Sequence, residues 1–232
     1  CAVKIPTVIC LLAAGAAFAQ QEPPRALPVD PDLQVDPGQD FFQHGRNLYE
    51  RAKRSTNLDE RVDGFVRAAE VLSRYINQFP KHPNAEYALW YLGDSYYLSG
   101  RQEDGKRCYQ ALLRDHPQGV LAAQAAFRLA ADHFNNRQYA LAAPLFEKMA
   151  TLAKQPADRH QALFNAGYSY ELQGRTREAT DYYRIVIADP DQPNALLSRA
   201  QLNLGRLLAR AEKLQEALPL LDSVVMSRSD AD

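Results

Sequence analysis

A four-residue pattern recurs through the second half of the chain. It consists of a small residue, an aromatic residue three positions later, Ala or Gly twelve later and a second aromatic residue sixteen later, with substitutions in the second and fourth copies. The small residues are Gly93, Ala130, Gly167 and Gly205, so successive copies begin 37, 37 and 38 residues apart. Self-similarity at this period is typical of stacked helical repeats. The sequence therefore predicts an all-α chain of stacked helix pairs.

Each copy contains two helical segments joined by a turn. In the first helix of the first copy, Ala88 and Gly93 are small residues on one face, which allows a second helix to approach closely. Gly or Asn occurs where each helix is expected to end in a left-handed residue. The three turns with this composition are Ser99-Gly100-Arg101, Asn135-Asn136-Arg137 and Gln173-Gly174-Arg175.

The first copy resembles the tetratricopeptide repeat. The resemblance rests on Leu92-Gly93-x-x-Tyr96, followed by Gly105, Tyr109 and Pro117. That family has a usual period of about 34 residues, and the excess here lies between the second helix of one copy and the first helix of the next. The resemblance implies a right-handed superhelical solenoid of antiparallel helix pairs, which holds protein partners.

The segment leading into the first copy indicates which members of this family the chain resembles. Phe79-Pro80-x-x-Pro83, followed by Tyr91-Leu92-Gly93-Asp94-x-Tyr96-Tyr97, is similar to bacterial envelope members of the family. Those members are the Tol–Pal-associated periplasmic repeat protein and the lipoprotein of the outer-membrane barrel assembly machinery. The resemblance implies a partner protein or peptide in the cell envelope.

Residues 1–19 read as a secretory signal peptide. Lys4 is their only charge, the run Val8 to Ala17 is apolar, and Ala17-Phe18-Ala19 matches a small-x-small cleavage pattern. The run is shorter than the roughly 20 residues that cross a bilayer, so no integral span is expected. Cys10 lacks the small residue that usually precedes a lipidated Cys. We expect a periplasmic or secreted protein, cleaved near Ala19-Gln20.

The remaining boundaries follow from composition and register. Residues 20–38 form a Pro-rich linker, and residues 39–80 form a degenerate helical pair that caps the stack, with a long connection over residues 55–63. Four repeats follow, at about 82–118, 119–155, 156–193 and 194–232. In the last of them, Leu218, Leu221 and Val225 are expected to have an open face, which suggests that the natural protein continues.

No pattern of catalytic or metal-binding residues emerges. The five His residues are scattered over different units, and no phosphate loop, nucleophile elbow or zinc helix occurs. The 27 basic and 28 acidic residues give a formal charge of −1, which does not favour nucleic acid. A non-catalytic chain without cofactor or metal is expected.

The family resemblance also indicates a binding surface, because such solenoids use the first-helix residues of their concave face. Trp90, Phe127, Phe164 and Leu202 occupy one equivalent position, three before the small residue, and we call them the aromatic ladder. Aromatic residues and Arg are enriched at binding hot spots. The candidate partner-binding residues are Tyr87, Trp90, Tyr97, Phe127, Phe134, Phe164, Tyr168 and Arg206.

Two alternatives stay open at this point. The rings of the ladder could instead pack against one another and against neighbouring helices, which would give a thicker core. The chain could also be the N-terminal repeat region of a larger secreted or outer-membrane-associated protein, whose activity lies beyond residue 232.

Overall fold

The computed structural model describes residues 36–190 and 194–229, all of whose regular elements are helices. This confirms the all-α prediction. The predicted signal peptide and residues 20–35 of the predicted linker lie outside the described residues. The helices are α1 Pro37–Arg54, α2 Leu58–Gln78, α3 Ala85–Leu98, α4 Gln102–Asp115, α5 Ala122–Asn135, α6 Tyr139–Leu152, α7 Pro156–Leu172, α8 Thr176–Ala188, α9 Asn194–Arg210 and α10 Leu214–Ser229.

In the first helix pair, side-chain caps set the residue at which each helix begins. Asp36 Oδ1 accepts hydrogen bonds from the amides of Gly38 and Gln39 at 2.9 and 3.2 Å, so α1 begins at Pro37, two residues before the predicted start. Asn57 caps α2 in the same way. The predicted long connection over residues 55–63 is therefore wrong: only residues 55–57 separate the two helices, because Asn57 starts α2 early.

Two compact units divide the described chain, with the boundary inside α5 between Arg128 and Leu129. In the N-terminal unit, α1 packs on α2, α2 on α3 and α3 on α4. In the C-terminal unit, α6 packs on α7, α7 on α8, α8 on α9 and α9 on α10. Helices that follow one another in sequence are therefore neighbours within each unit.

The small residues of the repeat mark points of close helix approach. A Cβ added at Gly93 would lie 2.8 Å from the ring of Tyr109, and one at Gly105 would lie 2.8 Å from the carbonyl oxygen of Gly93. At Gly167 the added Cβ would lie 2.9 Å from Cβ of Tyr182. Because real Cβ contacts are longer, α3 and α4, and likewise α7 and α8, approach at distances that exclude a methyl group. The predicted role of these glycines is confirmed.

In each of the four repeats that follow the first helix pair, the turn has a left-handed residue at one register position, seven after the small residue. Gly100 and Gly174 occupy it with φ of 87° and 75°, as the sequence predicts. In the second copy, however, the residue is Arg137, with φ of 59°, and not Asn135 or Asn136. Glu212 takes the position in the fourth copy, with φ of 58°. The turn geometry is thus kept even where the residue type disfavours it.

Candidate functional site

Most of the candidate partner-binding residues are buried within the chain. Five of the eight have side chains that are only 2% to 8% exposed, namely Tyr87, Trp90, Phe127, Phe134 and Phe164. The other three, Tyr97, Tyr168 and Arg206, are half-buried. The surface that a partner could touch without rearrangement is therefore smaller than the sequence predicts.

Two residues of the aromatic ladder, Trp90 and Phe164, pack on second-helix tyrosines. The ring of Trp90 lies 5.4 Å from that of Tyr109, and the guanidinium of Arg128 sits 5.6 Å from the Trp90 ring. In the C-terminal unit, the ring of Phe164 lies 5.5 Å from that of Tyr183. These contacts favour the alternative in which the rings form a thicker core.

Among the candidate aromatic residues of the C-terminal unit, Tyr168 is the one that stays half-buried. Its ring centroid lies 5.8 Å from that of Phe134 and 6.3 Å from that of Phe164, and it stacks on Phe164 with an interplanar angle of 25°. A half-buried tyrosine over two buried rings is supported from below and keeps its outer edge in solvent. This is the form of an aromatic contact residue.

A buried carboxylate organises the N-terminal unit. Asp94 accepts hydrogen bonds from the hydroxyls of Tyr49 and Tyr109, at 2.9 and 2.6 Å, and pairs with the guanidinium of Arg128 at 3.0 Å. Its side chain is 7% exposed and that of Arg128 is 24% exposed. We call these four residues the Asp94 cluster. Burial, reinforced by the charge of Asp94, raises the pKa of Tyr49 and Tyr109, so both hydroxyls stay protonated donors.

The C-terminal unit places a comparable cluster at the equivalent tyrosine. The hydroxyl of Tyr183 donates to Glu171 at 2.7 Å and accepts a hydrogen bond from the amide of Asn203 at 3.1 Å. Glu171 is half-buried. We call these three residues the Tyr183 cluster. Burial, followed by the charge of Glu171, raises the pKa of Tyr183 as well.

A third carboxylate, Glu147, joins α6 to the next two helices. Glu147 Oε1 accepts hydrogen bonds from Tyr170 and Tyr182, each at 2.6 Å, and the two rings stack at 5.6 Å. Burial, followed by the hydrogen bond to Glu147, raises the pKa of Tyr170 to about 12. Sequence reasoning missed these acid–tyrosine contacts, although the tyrosines that recur in register, Tyr109 and Tyr183, were a signal that could have indicated them.

The described residues offer little that resembles a reaction centre. Three or more His, Cys, Asp or Glu side chains are nowhere grouped as a metal site requires within the described ranges. A groove of about 280 Å³ lies between α1 and α2, and one of about 360 Å³ lies between α8 and the end of α9, and neither is lined by a candidate partner-binding residue. Among the helices described, none is long and apolar enough to cross a membrane.

Comparison with known families agrees with the register. Residues 87–119 and 127–193 each match a tetratricopeptide repeat family. These two ranges are similar to tetratricopeptide repeats. A comparison with curated proteins gave no significant match.

Solved structures with a similar fold cover most of the chain. MamA from Desulfovibrio magneticus RS-1, from residue 41 to its end, aligns with a TM-score of 0.57 at 20% identity, covering 83% of this chain and 98% of that one. An AMB-1 MamA gives 0.59 at 17% identity, covering 84% and 93%. A putative kinesin light chain from Podosopora anserina with TPR-like repeats gives 0.53 at 17% identity, covering 86% and 99%. The tetratricopeptide-like helical solenoid fold is therefore shown, and at these identities the fold alone.

Proposed function

We propose that this chain is a non-catalytic adaptor of the bacterial cell envelope, which holds a protein or peptide partner against the concave, first-helix face of its repeats. The similarity of residues 87–119 and 127–193 to tetratricopeptide repeats carries the proposal, because a protein partner is what such repeats commonly hold. The predicted signal peptide supports a periplasmic or secreted location, and the envelope-type motif ahead of the first repeat supports an envelope partner.

The contact residues within this proposal are the half-buried ones. Tyr97, Tyr168 and Arg206 retain accessible surface, and they belong to residue types that often dominate binding energy. Phe164 of the ladder supports Tyr168 by stacking on it. Replacing Trp90 and Phe127 together with Ala would remove two core rings at a cost of about 3–5 kcal/mol each, so loss of binding in that variant would report unfolding.

Site-specific photocrosslinking tests the proposal without disturbing the core. A photoreactive amino acid is placed at Tyr97 or Tyr168, and at Arg107 on α4 as the control, because the Arg107 side chain is 75% exposed. We expect the same partner adduct from positions 97 and 168 and none from position 107. An equal adduct from all three positions, or none from the first two, would contradict the proposed surface.

The location has its own test. Fractionation of the expressing cell should find the protein outside the cytoplasm with its N-terminus at about Gln20, since cleavage follows Ala19 in the predicted signal. An uncleaved chain that remains in the cytoplasm would contradict the envelope assignment while leaving the repeat surface open to the crosslinking test.

A further inference from the structure

The groove of about 360 Å³ between α8 and the end of α9 lies outside the candidate partner-binding surface, and we call it the α8–α9 slot. Its floor is formed by Leu207 and Leu208, both buried, and Ala211 lies exposed just after α9. Thr176 and Thr180 line the slot from α8. A cleft of this volume is large enough for a small ligand or for one side chain of a partner.

The repeat register shows what fills the corresponding position one junction earlier, between α6 and α7. Leu208 corresponds to Tyr170, 38 residues earlier. Tyr170 is 8% exposed, its ring stacks on that of Tyr182 at 5.6 Å, and its hydroxyl donates to Glu147 at 2.6 Å. The α8–α9 slot therefore lacks the aromatic ring that fills the earlier junction.

A second residue difference opens the slot further. Ala211 corresponds to Gln173, whose side-chain amide donates to the carbonyl oxygen of Tyr139 at 3.1 Å. That hydrogen bond joins the end of α7 to the start of α6. Ala211 has no side-chain amide, and Thr176 occupies the position of Tyr139. The ring and the amide that bridge the earlier junction are thus both replaced by smaller side chains here.

The charge at the far end of the missing ring is reversed. Arg184 of α8 occupies the position of Glu147, the acid that accepts the hydroxyl of Tyr170. A group that enters the slot therefore meets a donor, and a carboxylate makes the stronger kind of hydrogen bond with a guanidinium. Arg184 pairs with Glu216 at 2.7 Å, but their side chains are 51% and 49% exposed. An exposed pair of this kind contributes little, so Arg184 can exchange its partner.

The other charges around the slot also favour an anion. Arg177 and Lys213 line it, are exposed, and form no ion pair among the residues that the structure describes. Asp181 is the acid among the described lining residues. Even when Glu216 is counted with Asp181, the cations around the slot outnumber the acids, so a local excess of positive charge remains.

We propose that the α8–α9 slot binds an aromatic side chain of a partner protein, next to an acidic residue in that partner's sequence. The ring lies over Leu208, and the neighbouring carboxylate pairs with the cations of the slot. The occupant is a protein side chain because the corresponding position one junction earlier holds one, Tyr170. The site goes beyond the proposed adaptor surface, since neither Tyr97 nor Tyr168 lines it.

The test uses the purified full chain and two variants with matched controls. Ala211→Gln restores the glutamine of the earlier junction, whose amide can then reach the carbonyl oxygen of Thr176 and close the slot. Ala188→Gln makes the same change at an exposed alanine at the other end of α8. Lys213→Glu reverses one cation of the slot, and Lys154→Glu does so at an exposed lysine outside it. Unchanged far-ultraviolet circular dichroism establishes that each variant is folded.

The probe is a fluorescently labelled peptide with one tyrosine between two glutamates, compared with the same peptide carrying alanine in place of tyrosine. Fluorescence anisotropy gives the Kd of each. We expect the native chain to bind the tyrosine peptide about tenfold more tightly than the alanine peptide, because only the first buries a ring. Ala211→Gln should remove that difference, Lys213→Glu should weaken binding about threefold, and both controls should bind as the native chain does.

Three results overturn the proposal. Equal or absent binding of the two peptides would show that the ring contributes nothing, and undiminished binding by the Ala211→Gln variant would place the peptide elsewhere. Binding of phenylacetate without binding of the tyrosine peptide would mean that the slot takes a free aromatic acid and not a partner protein. The crosslinking test at Tyr97 and Tyr168 is independent of all three, so their failure leaves the adaptor proposal standing.

Discussion

Equivalent tyrosines in the two compact units donate hydrogen bonds to acids at different positions. Tyr109 and Tyr183 both lie sixteen residues after the small residue of their copy, but Tyr109 donates to Asp94, one residue after Gly93, whereas Tyr183 donates to Glu171, four residues after Gly167. The acid and a first-helix tyrosine have exchanged places, because Tyr97 and Tyr168 occupy the other two positions. One turn of helix separates the two solutions.

The first helix of the following repeat adds to the difference between the Asp94 cluster and the Tyr183 cluster. The residue two before its small residue is Arg128 in the Asp94 cluster and Asn203 in the Tyr183 cluster. An arginine brings a charge that pairs with buried Asp94, while an asparagine brings a neutral donor to the tyrosine itself. The N-terminal unit thus depends on a buried ion pair, and the C-terminal unit on a more exposed hydrogen-bond chain.

The largest expected effect is the loss of the buried acid. Asp94→Ala removes the ion-pair partner of Arg128 and the acceptor of two tyrosine hydroxyls. We therefore expect the free energy of unfolding to fall by about 3–5 kcal/mol. Glu171→Ala leaves Tyr183 bonded to Asn203 and should cost about 1 kcal/mol. Urea unfolding followed by circular dichroism measures both. Equal losses would show that the two clusters contribute alike.

The next effect concerns the close approach of α3 and α4. Gly93→Ala places a methyl group against the ring of Tyr109, whose hydroxyl is fixed by Asp94, and should cost about 1–3 kcal/mol. In an Asp94→Ala background the ring is free to shift, so the same substitution should cost less. An unchanged cost there would mean that the clash, and not the hydrogen bond, limits this contact.

Alkaline stability distinguishes the tyrosines. Because burial raises the pKa of Tyr109, the folded chain keeps a proton that the unfolded chain releases near pH 10, so this contribution is full below pH 10 and lost as pH rises further. Tyr109→Phe should reduce the fall in stability above pH 10 by up to about 1.4 kcal/mol per pH unit. Tyr183→Phe should also reduce the fall in stability above pH 10, and its loss of stability at neutral pH should be smaller than that of Tyr109→Phe. Urea titrations at several pH values give both slopes, and an unchanged slope would contradict a buried, protonated Tyr109.

The smallest expected effect is at the left-handed turn residue. Arg137→Gly removes the cost of a left-handed side chain and should raise stability by up to about 1 kcal/mol, whereas Gly100→Ala should lower it by about 1–2 kcal/mol. Thermal unfolding of the two variants checks the pair. A destabilised Arg137→Gly would mean that a contact of the arginine side chain stabilises the fold by more than the left-handed conformation costs.

The register was predictable because it rests on contacts within one helix pair. Spacing alone placed Gly93 and Gly167 at close helix approaches, and seven residues further it would have placed Arg137 in the left-handed region. What spacing did not supply was the direction of Trp90, which depends on the ring of Tyr109 beside it. Nor did it indicate that Tyr49, 45 residues before Asp94, donates to that acid, because such contacts form only when neighbouring helices pack.

A double-mutant cycle on Asp94 and Arg128 tests the difference between the units most directly. The substitutions are Asp94→Ala and Arg128→Met, alone and together, with Glu171→Ala and Asn203→Ala as the matched cycle in the C-terminal unit. We predict a coupling energy of about 1–3 kcal/mol for the first pair and a smaller one for the second, since Glu171 and Asn203 are linked through Tyr183. A coupling below about 0.5 kcal/mol between Asp94 and Arg128 would contradict a buried ion pair at the centre of the N-terminal unit.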